Sequence, residues 1–139
     1  IQRHIDQRSE NNKRNQQYID MVNAAKAGDL TLFDEYYNHH SYNKEWLDTR
    51  RDQILSEEIA EWRMPKEEVP QVVAVQVKEK FGTLRFYYNG GDEYISGLEH
   101  MADAMSAVTC EECGSPGVLR NGGWIRTLCE NHNVAKNES

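Results

Sequence analysis

The sequence predicts an α+β fold: an N-terminal helical hairpin and helix, then a β-hairpin, a further helix and a C-terminal zinc ribbon. Three observations predict it. Apolar residues recur at helical spacing through the first half, up to Trp62. Val72 to Val77 and Leu84 to Tyr88 are β-branched or alternating runs on either side of Gly82. All three cysteines lie between residues 110 and 129. A chain of 139 residues that is 38% hydrophobic holds one ordinary domain or a small core plus an appendage, so a modest core helped by a metal is expected.

Residues 1–17 are rich in Gln, Asn and Arg with two Ile, and read as a flexible or helical arm. A helical region follows over 18–64. Its first helix carries Tyr18, Ile19, Val22 and Ala25 and ends at Gly28, a C-cap residue type. Asp29 caps a second short helix bearing Leu30, Phe33, Tyr36 and Tyr37, which completes an αα-hairpin. The segment Ala24 to Leu30 has the look of a helical-repeat unit, but no second copy follows, which excludes a solenoid. His39 and His40 lie in a polar joint and read as a hinge more readily than as a second metal site. Asn43 is the N-cap of a third helix with Glu45 in its first turn, expected to run through Leu47, Ile54, Leu55, Ile59 and Trp62 until Pro65 and Pro70 stop it.

The unit spanning 71–135 opens with the two strands. In the second, Leu84, Phe86 and Tyr88 share one face and Thr83, Arg85 and Tyr87 the other, the pattern of a hairpin buried on one side. Asp92 caps the next helix, whose stripe is Ile95, Leu98, Met101, Ala102 and Met105, with Gly97 costing roughly 1 kcal/mol. That helix runs into Cys110, so the metal knuckle is mounted on a helix end.

The metal set is Cys110, Cys113, Cys129 and His132. Zinc takes four N or S donors in a tetrahedron, and a Cys-x2-Cys turn aims two thiolates at one point. The second knuckle comes after 114–128, a zinc-ribbon spacing in which His replaces the last Cys. Three buried cysteines and a tail histidine with no metal is the competing reading, and the paired spacing with Gly114 behind the first pair disfavours it. With all four positions filled by protein, one structural Zn2+ is expected rather than a catalytic one. Three thiolates leave the site at about −1, which Arg120 or Arg126 would soften. Because every cysteine is used by the site, reduced thiols in a cytosol are expected rather than a disulfide framework. No apolar run reaches membrane-span length, and no signal-peptide pattern opens these residues.

The formal net charge of −7 excludes a surface that tracks a phosphate backbone throughout. Acidic residues gather toward the end of the stretch from Asp34 to Glu68, at Glu57, Glu58, Glu61, Glu67 and Glu68. Such a run is a solvated helix face, or else an acidic surface that mimics nucleic acid or docks on a basic partner. Glu57, Glu58 and Glu61, with Tyr36 and Tyr37, are therefore the candidate protein-contact residues. A rival nucleic-acid surface is offered by Lys78, Lys80 and Arg85, interleaved with Phe81, Phe86 and Tyr87, and by Arg120 and Arg126. A nuclease of the HNH type has a similar Cys-x2-Cys knuckle, and its ending resembles Leu128 to Asn133 with Lys136. Those enzymes place a catalytic His between their knuckles, whereas 114–128 holds no His, Asp or Glu to activate a water. No nucleophile–base set stands out elsewhere, so the chain reads as a non-enzyme.

The run Val77-Lys78-Glu79-Lys80-Phe81-Gly82-Thr83-Leu84-Arg85-Phe86-Tyr87-Tyr88, then Gly90-Gly91-Asp92, the first knuckle with Ser115-Pro116-Gly117, and Gly122-Gly123-Trp124-Ile125-Arg126-Thr127-Leu128-Cys129 resembles a family of small proteins encoded by bacteriophages and prophages. The likeness covers about the last half of the chain. It implies a phage or prophage origin and a zinc-bound, hairpin-containing unit, and it carries no assured activity. The expectation is a phage accessory protein in the host cell cytoplasm that binds a host protein in host takeover or anti-defence. A nucleic-acid-binding zinc ribbon is the alternative, and a degenerate HNH-like nuclease comes after it.

Overall fold

The computed structural model describes residues 1–38 and 40–133; His39, Lys136 and the last positions of the 71–135 unit lie outside the described residues. The fold is α+β. Helices α1 (Gln2–Lys26), α2 (Thr31–Tyr37) and α3 (Lys44–Ser56) precede strands β1 (Val73–Lys80) and β2 (Thr83–Asn89), helix α4 (Glu93–Ser106), and the short strands β3 (Val118–Arg120) and β4 (Arg126–Leu128). Contacts divide the chain into a helical unit, Asp6–Glu68, and a second unit made of Ile1–Ile5 and Val69 onward.

In the helical unit, α1 begins at Gln2, so the polar N-terminal segment is helix throughout. Gln7–Asn11 and Gln16–Asp20 side-chain bonds supply support at i,i+4. Asn12 also ties the helix to the segment before Val69, donating to the Lys66 carbonyl and accepting from the Lys66 amide at 2.9 Å. Gly28 closes α1 at φ +91, with Asp29 N–H on the Ala24 carbonyl and Gly28 N–H on Ala25. Asp29 accepts from Thr31 N–H, and Asn43 from Trp46 N–H at 2.8 Å, as their positions ahead of α2 and α3 require. The core is Met21, Val22, Phe33, Tyr37 and Ile54.

Two expectations fail here. Helix α3 stops at Ser56, because the Ser56 hydroxyl and Glu57 N–H converge on the Gln53 carbonyl and Glu57 turns to extended backbone. Glu57 and Glu58 therefore do not lie on a helix face, and Glu61 begins a separate 3-10 turn, Glu61–Arg63. Trp62 is 67% exposed rather than part of a buried stripe. Tyr37, read as a contact residue, is in the core, its hydroxyl accepting from Arg50.

In the second unit β1 and β2 pair antiparallel, with a register shift between Ala74 and Gln76. Asp92 caps α4 through Ile95 N–H. The core around Ile95 includes Ile5 and Val69, with Val72 and Tyr88 against it. Gly90 is required where the hairpin leaves: at φ +83, an added Cβ would lie 2.1 Å from the Gln71 carbonyl oxygen. Helix α4 runs beside β2, with Ser106 Oγ accepting from Leu84 N–H and Asp103 binding Arg85 at 2.7 Å. That packing leaves Met101 and Met105 exposed, contrary to the expected stripe. Strand β1 is exposed along its whole length, so the hairpin is not buried on one full side. Among the described residues no second layer covers Val73, Val75 and Val77.

Candidate metal centre

The first knuckle is a tight turn tied at both ends. Gly114 N–H bonds the Cys110 carbonyl at 2.8 Å and Cys110 N–H bonds Ser115 at 2.7 Å, with Gly114 at φ +76. Gly117 must be glycine for space: an added Cβ would sit 2.8 Å from the Cys110 nitrogen. Strand β4 then delivers the second knuckle. It pairs with β3 from Val118–Leu128 to Arg120–Arg126, and Thr127 accepts the Glu111 N–H on its carbonyl. Cys129 follows directly, and the 3-10 turn Glu130–His132 brings His132 back over it.

The four ligand atoms lie within 4.8 Å of one another. Cys113 Sγ to Cys129 Sγ is 3.8 Å, Cys110 Sγ to His132 Nδ1 is 3.5 Å, and Cys129 Sγ to His132 Nδ1 is 3.3 Å. A tetrahedral zinc with Zn–S of about 2.3 Å and Zn–N of about 2.0–2.1 Å spans edges of about 3.8 Å between sulfurs and about 3.5 Å between sulfur and nitrogen. Three of the six edges thus match a zinc tetrahedron, the whole set lies within 4.8 Å, and the donor types suit that ion, so the cluster is compatible with zinc. Among the described residues it is the one group of three or more His, Cys, Asp or Glu placed to hold a metal. His40 instead packs its ring against Tyr42.

The four donors are not poised alike: two thiols are lowered, while the third thiol and the imidazole are raised. Burial pushes the Cys110 thiol up, but the Cys129, Glu112 and Cys113 amides and His132 outweigh it and bring the thiol down to about 6. The Ser115 hydroxyl and amide lower Cys113. Burial raises Cys129, and the neighbouring Cys110 and Cys113 sulfurs raise His132. Arg126 binds Glu111 and Glu112 together, and Arg120 binds Glu130 at 2.6 Å. Both arginines therefore neutralise carboxylates beside the knuckles rather than the thiolates themselves.

The same ion pairs bear on the cations proposed for nucleic acid. Arg85, Arg120 and Arg126 are each held by carboxylates, while Lys78 and Lys80 lie over the rings of Tyr87 and Phe81. Of the candidate protein contacts, Glu57, Glu58, Glu61 and Tyr36 are exposed. Sequence reasoning missed Trp62, whose helical spacing disguised it, and Trp124, which is 73% exposed. The glycine pair Gly122-Gly123 before Trp124 was the available signal that this ring stands on a loop. Comparison with protein-family models, with curated proteins and with solved structures found no match.

Proposed function

We propose that this chain is a non-catalytic binding protein whose single zinc is structural and whose partner is a protein with a basic surface. In the setting that the family resemblance implies, it is a phage or prophage product that engages a host protein in the host cytoplasm. One observation carries the reading: Trp62 is 67% exposed, with the Arg63 guanidinium 4.3 Å from its ring and 4.1 Å from that of Tyr18. Trp is among the residue types enriched at binding hot spots. Exposed Glu57, Glu58 and Glu61 flank it and give the surface its sign. Four protein donors complete a tetrahedral zinc and leave no place for a reacting water, which supports the non-catalytic half of the reading. The test is affinity capture from bacterial host lysate treated with nuclease. One stoichiometric protein is expected, lost with Trp62→Ala and weakened when Glu57, Glu58 and Glu61 become lysine. Capture unchanged by both variants, or no stoichiometric protein, overturns the reading.

A further inference from the structure

The register of the β1–β2 hairpin sorts its side chains by charge. The pairs Gln76–Tyr87, Lys78–Arg85 and Lys80–Thr83 alternate with Val77–Phe86 and Glu79–Leu84. Alternation puts the two sets on opposite faces. One face thus carries Lys78, Lys80, Arg85 and Tyr87 and no acidic residue of its own, while Glu79 is on the other. Arg85 is committed to Asp103. The lysines instead lie above rings, Lys78 at 5.5 Å from the centre of Tyr87 and Lys80 at 5.6 Å from that of Phe81.

This row ends at a cleft of about 270 Å3 lined by Glu79, Lys80, Phe81, Gly123, Trp124 and Ile125. Phe81 and Trp124 are 63% and 73% exposed. Phe81 has φ +54 and Gly82 φ +77, so both central residues of the turn are left-handed, as in a type I′ turn. Asn, Asp or Gly normally takes the first of those positions, and a bulky residue there is an outlier. Strain of this kind clusters at ligand sites, where the surroundings hold it. Here the holding groups are buried Thr127, whose hydroxyl donates to the Gly82 carbonyl at 2.7 Å, and Glu79, which accepts the Gly82 N–H at 2.9 Å. A chain that needed only to turn would have no use for an aromatic ring in this place.

We propose that this face and its cleft bind single-stranded nucleic acid, with bases stacking on Tyr87, Phe81 and Trp124 and phosphates lying against Lys78 and Lys80. Each lysine presents its charge together with a π-face, which is the combination that a sequence-tolerant single-strand platform uses. A partner protein's apolar side chain is the competing occupant, and it gives no reason for lysine and ring to alternate. The site belongs to the zinc-bearing unit, so this inference goes beyond the protein contact proposed at Trp62 and is tested separately.

The test is fluorescence anisotropy of labelled oligouridylate and oligothymidylate of about twelve nucleotides with the zinc-loaded chain, starting at about 20 mM KCl. Two phosphate contacts predict a slope of log K against log salt of about −1.4, falling to about −0.7 in Lys80→Ala. Trp124→Ala and Phe81→Asn are each expected to weaken binding about fivefold or more while zinc content and melting temperature hold. Phe81→Asn gives the turn the residue it favours, so its loss of affinity cannot be put down to misfolding. Lys13→Ala, in the other unit, is expected to change nothing. The ratio between the two oligomers tells RNA from DNA as the source. The inference is overturned by no anisotropy change at about 100 µM protein in low salt, by binding that Lys80→Ala, Trp124→Ala and Phe81→Asn leave intact, or by a captured protein that depends on Trp124 while neither oligomer binds.

Discussion

Removing the zinc should unfold the ribbon, and the structure says by how much. Among the described residues the cluster buried between the two knuckles consists of Cys110, Leu128 and Cys129, with Leu128 its one aliphatic side chain. Burying one leucine contributes about 1.5–3 kcal/mol, whereas a structural zinc in a small module supplies about 10–16 kcal/mol. Free zinc at a hundredfold over its dissociation constant stabilises by about 2.7 kcal/mol. In a unit of this size each kcal/mol moves the melting temperature by about 4–8 °C. Chelation should therefore lower the transition of the zinc-bearing unit by more than about 10 °C. Cys113→Ser should reproduce the effect, because Cys113 supplies one of the tetrahedron's four corners, its Sγ 3.8 Å from that of Cys129. The assay is scanning calorimetry of loaded, chelated and C113S protein, with zinc counted by mass spectrometry after gel filtration. Loaded and chelated samples melting within about 2 °C of each other, or C113S retaining its zinc against a chelator, would refute the reasoning.

Two further outcomes are expected. Thr127→Val keeps the shape of a fully buried side chain but strips the Gly82 carbonyl of its 2.7 Å hydrogen bond, which should cost about 1–3 kcal/mol in a thermal melt; an unchanged melting temperature contradicts it. Zinc affinity, read by competition with a chromophoric chelator, should fall with acid and fall most steeply below about pH 6, where Cys110 takes up its proton; an affinity flat from about pH 5 to 8 contradicts it. The signs in the metal-free protein are opposed. The contribution of Cys110, lowered from 9.0, is complete above 9.0 and lost as pH falls through about 6. That of His132, raised from 6.5, is complete below 6.5 and lost as pH rises through its folded value.

What could be read from the sequence was what is local in it. The two knuckles, the caps at Asn43 and Asp92 and the αL exit at Gly28 each depend on residues within a few positions of one another, and all four metal donors converge as their spacing requires. Periodicity also named the two faces of the hairpin. It could not say whether another layer would cover them, so the exposure of β1 and of Met101 and Met105 was out of reach. The partners of the arginines were equally hidden. Arg85 meets Asp103 and Arg126 meets Glu111 and Glu112 only because the chain folds back, and those meetings decide which cations remain for a ligand. Trp62 failed for another reason: its spacing continues the α3 stripe by coincidence, after the helix has closed on Gln53.

The candidate metal centre and the aromatic cleft are linked through strand β4. Cys129 anchors the end of β4, and β4 carries Thr127, which is 0% exposed. Thr127 binds the Gly82 carbonyl, and a Cβ at Gly82 would lie 2.7 Å from Leu119 and 3.2 Å from the Arg126 and Thr127 backbone. Gly82 is therefore seated against both short strands of the ribbon, and its neighbour Phe81 is held left-handed beside Trp124. A free two-residue turn would relax Phe81 toward φ below zero, since a left-handed backbone costs an ordinary residue roughly 1–2 kcal/mol. A metal bound at the knuckles would thus fix more than the ribbon's own fold: through Thr127 and Gly82 it would preorganise the two rings, and chelation is expected to lose the cleft along with the knuckles.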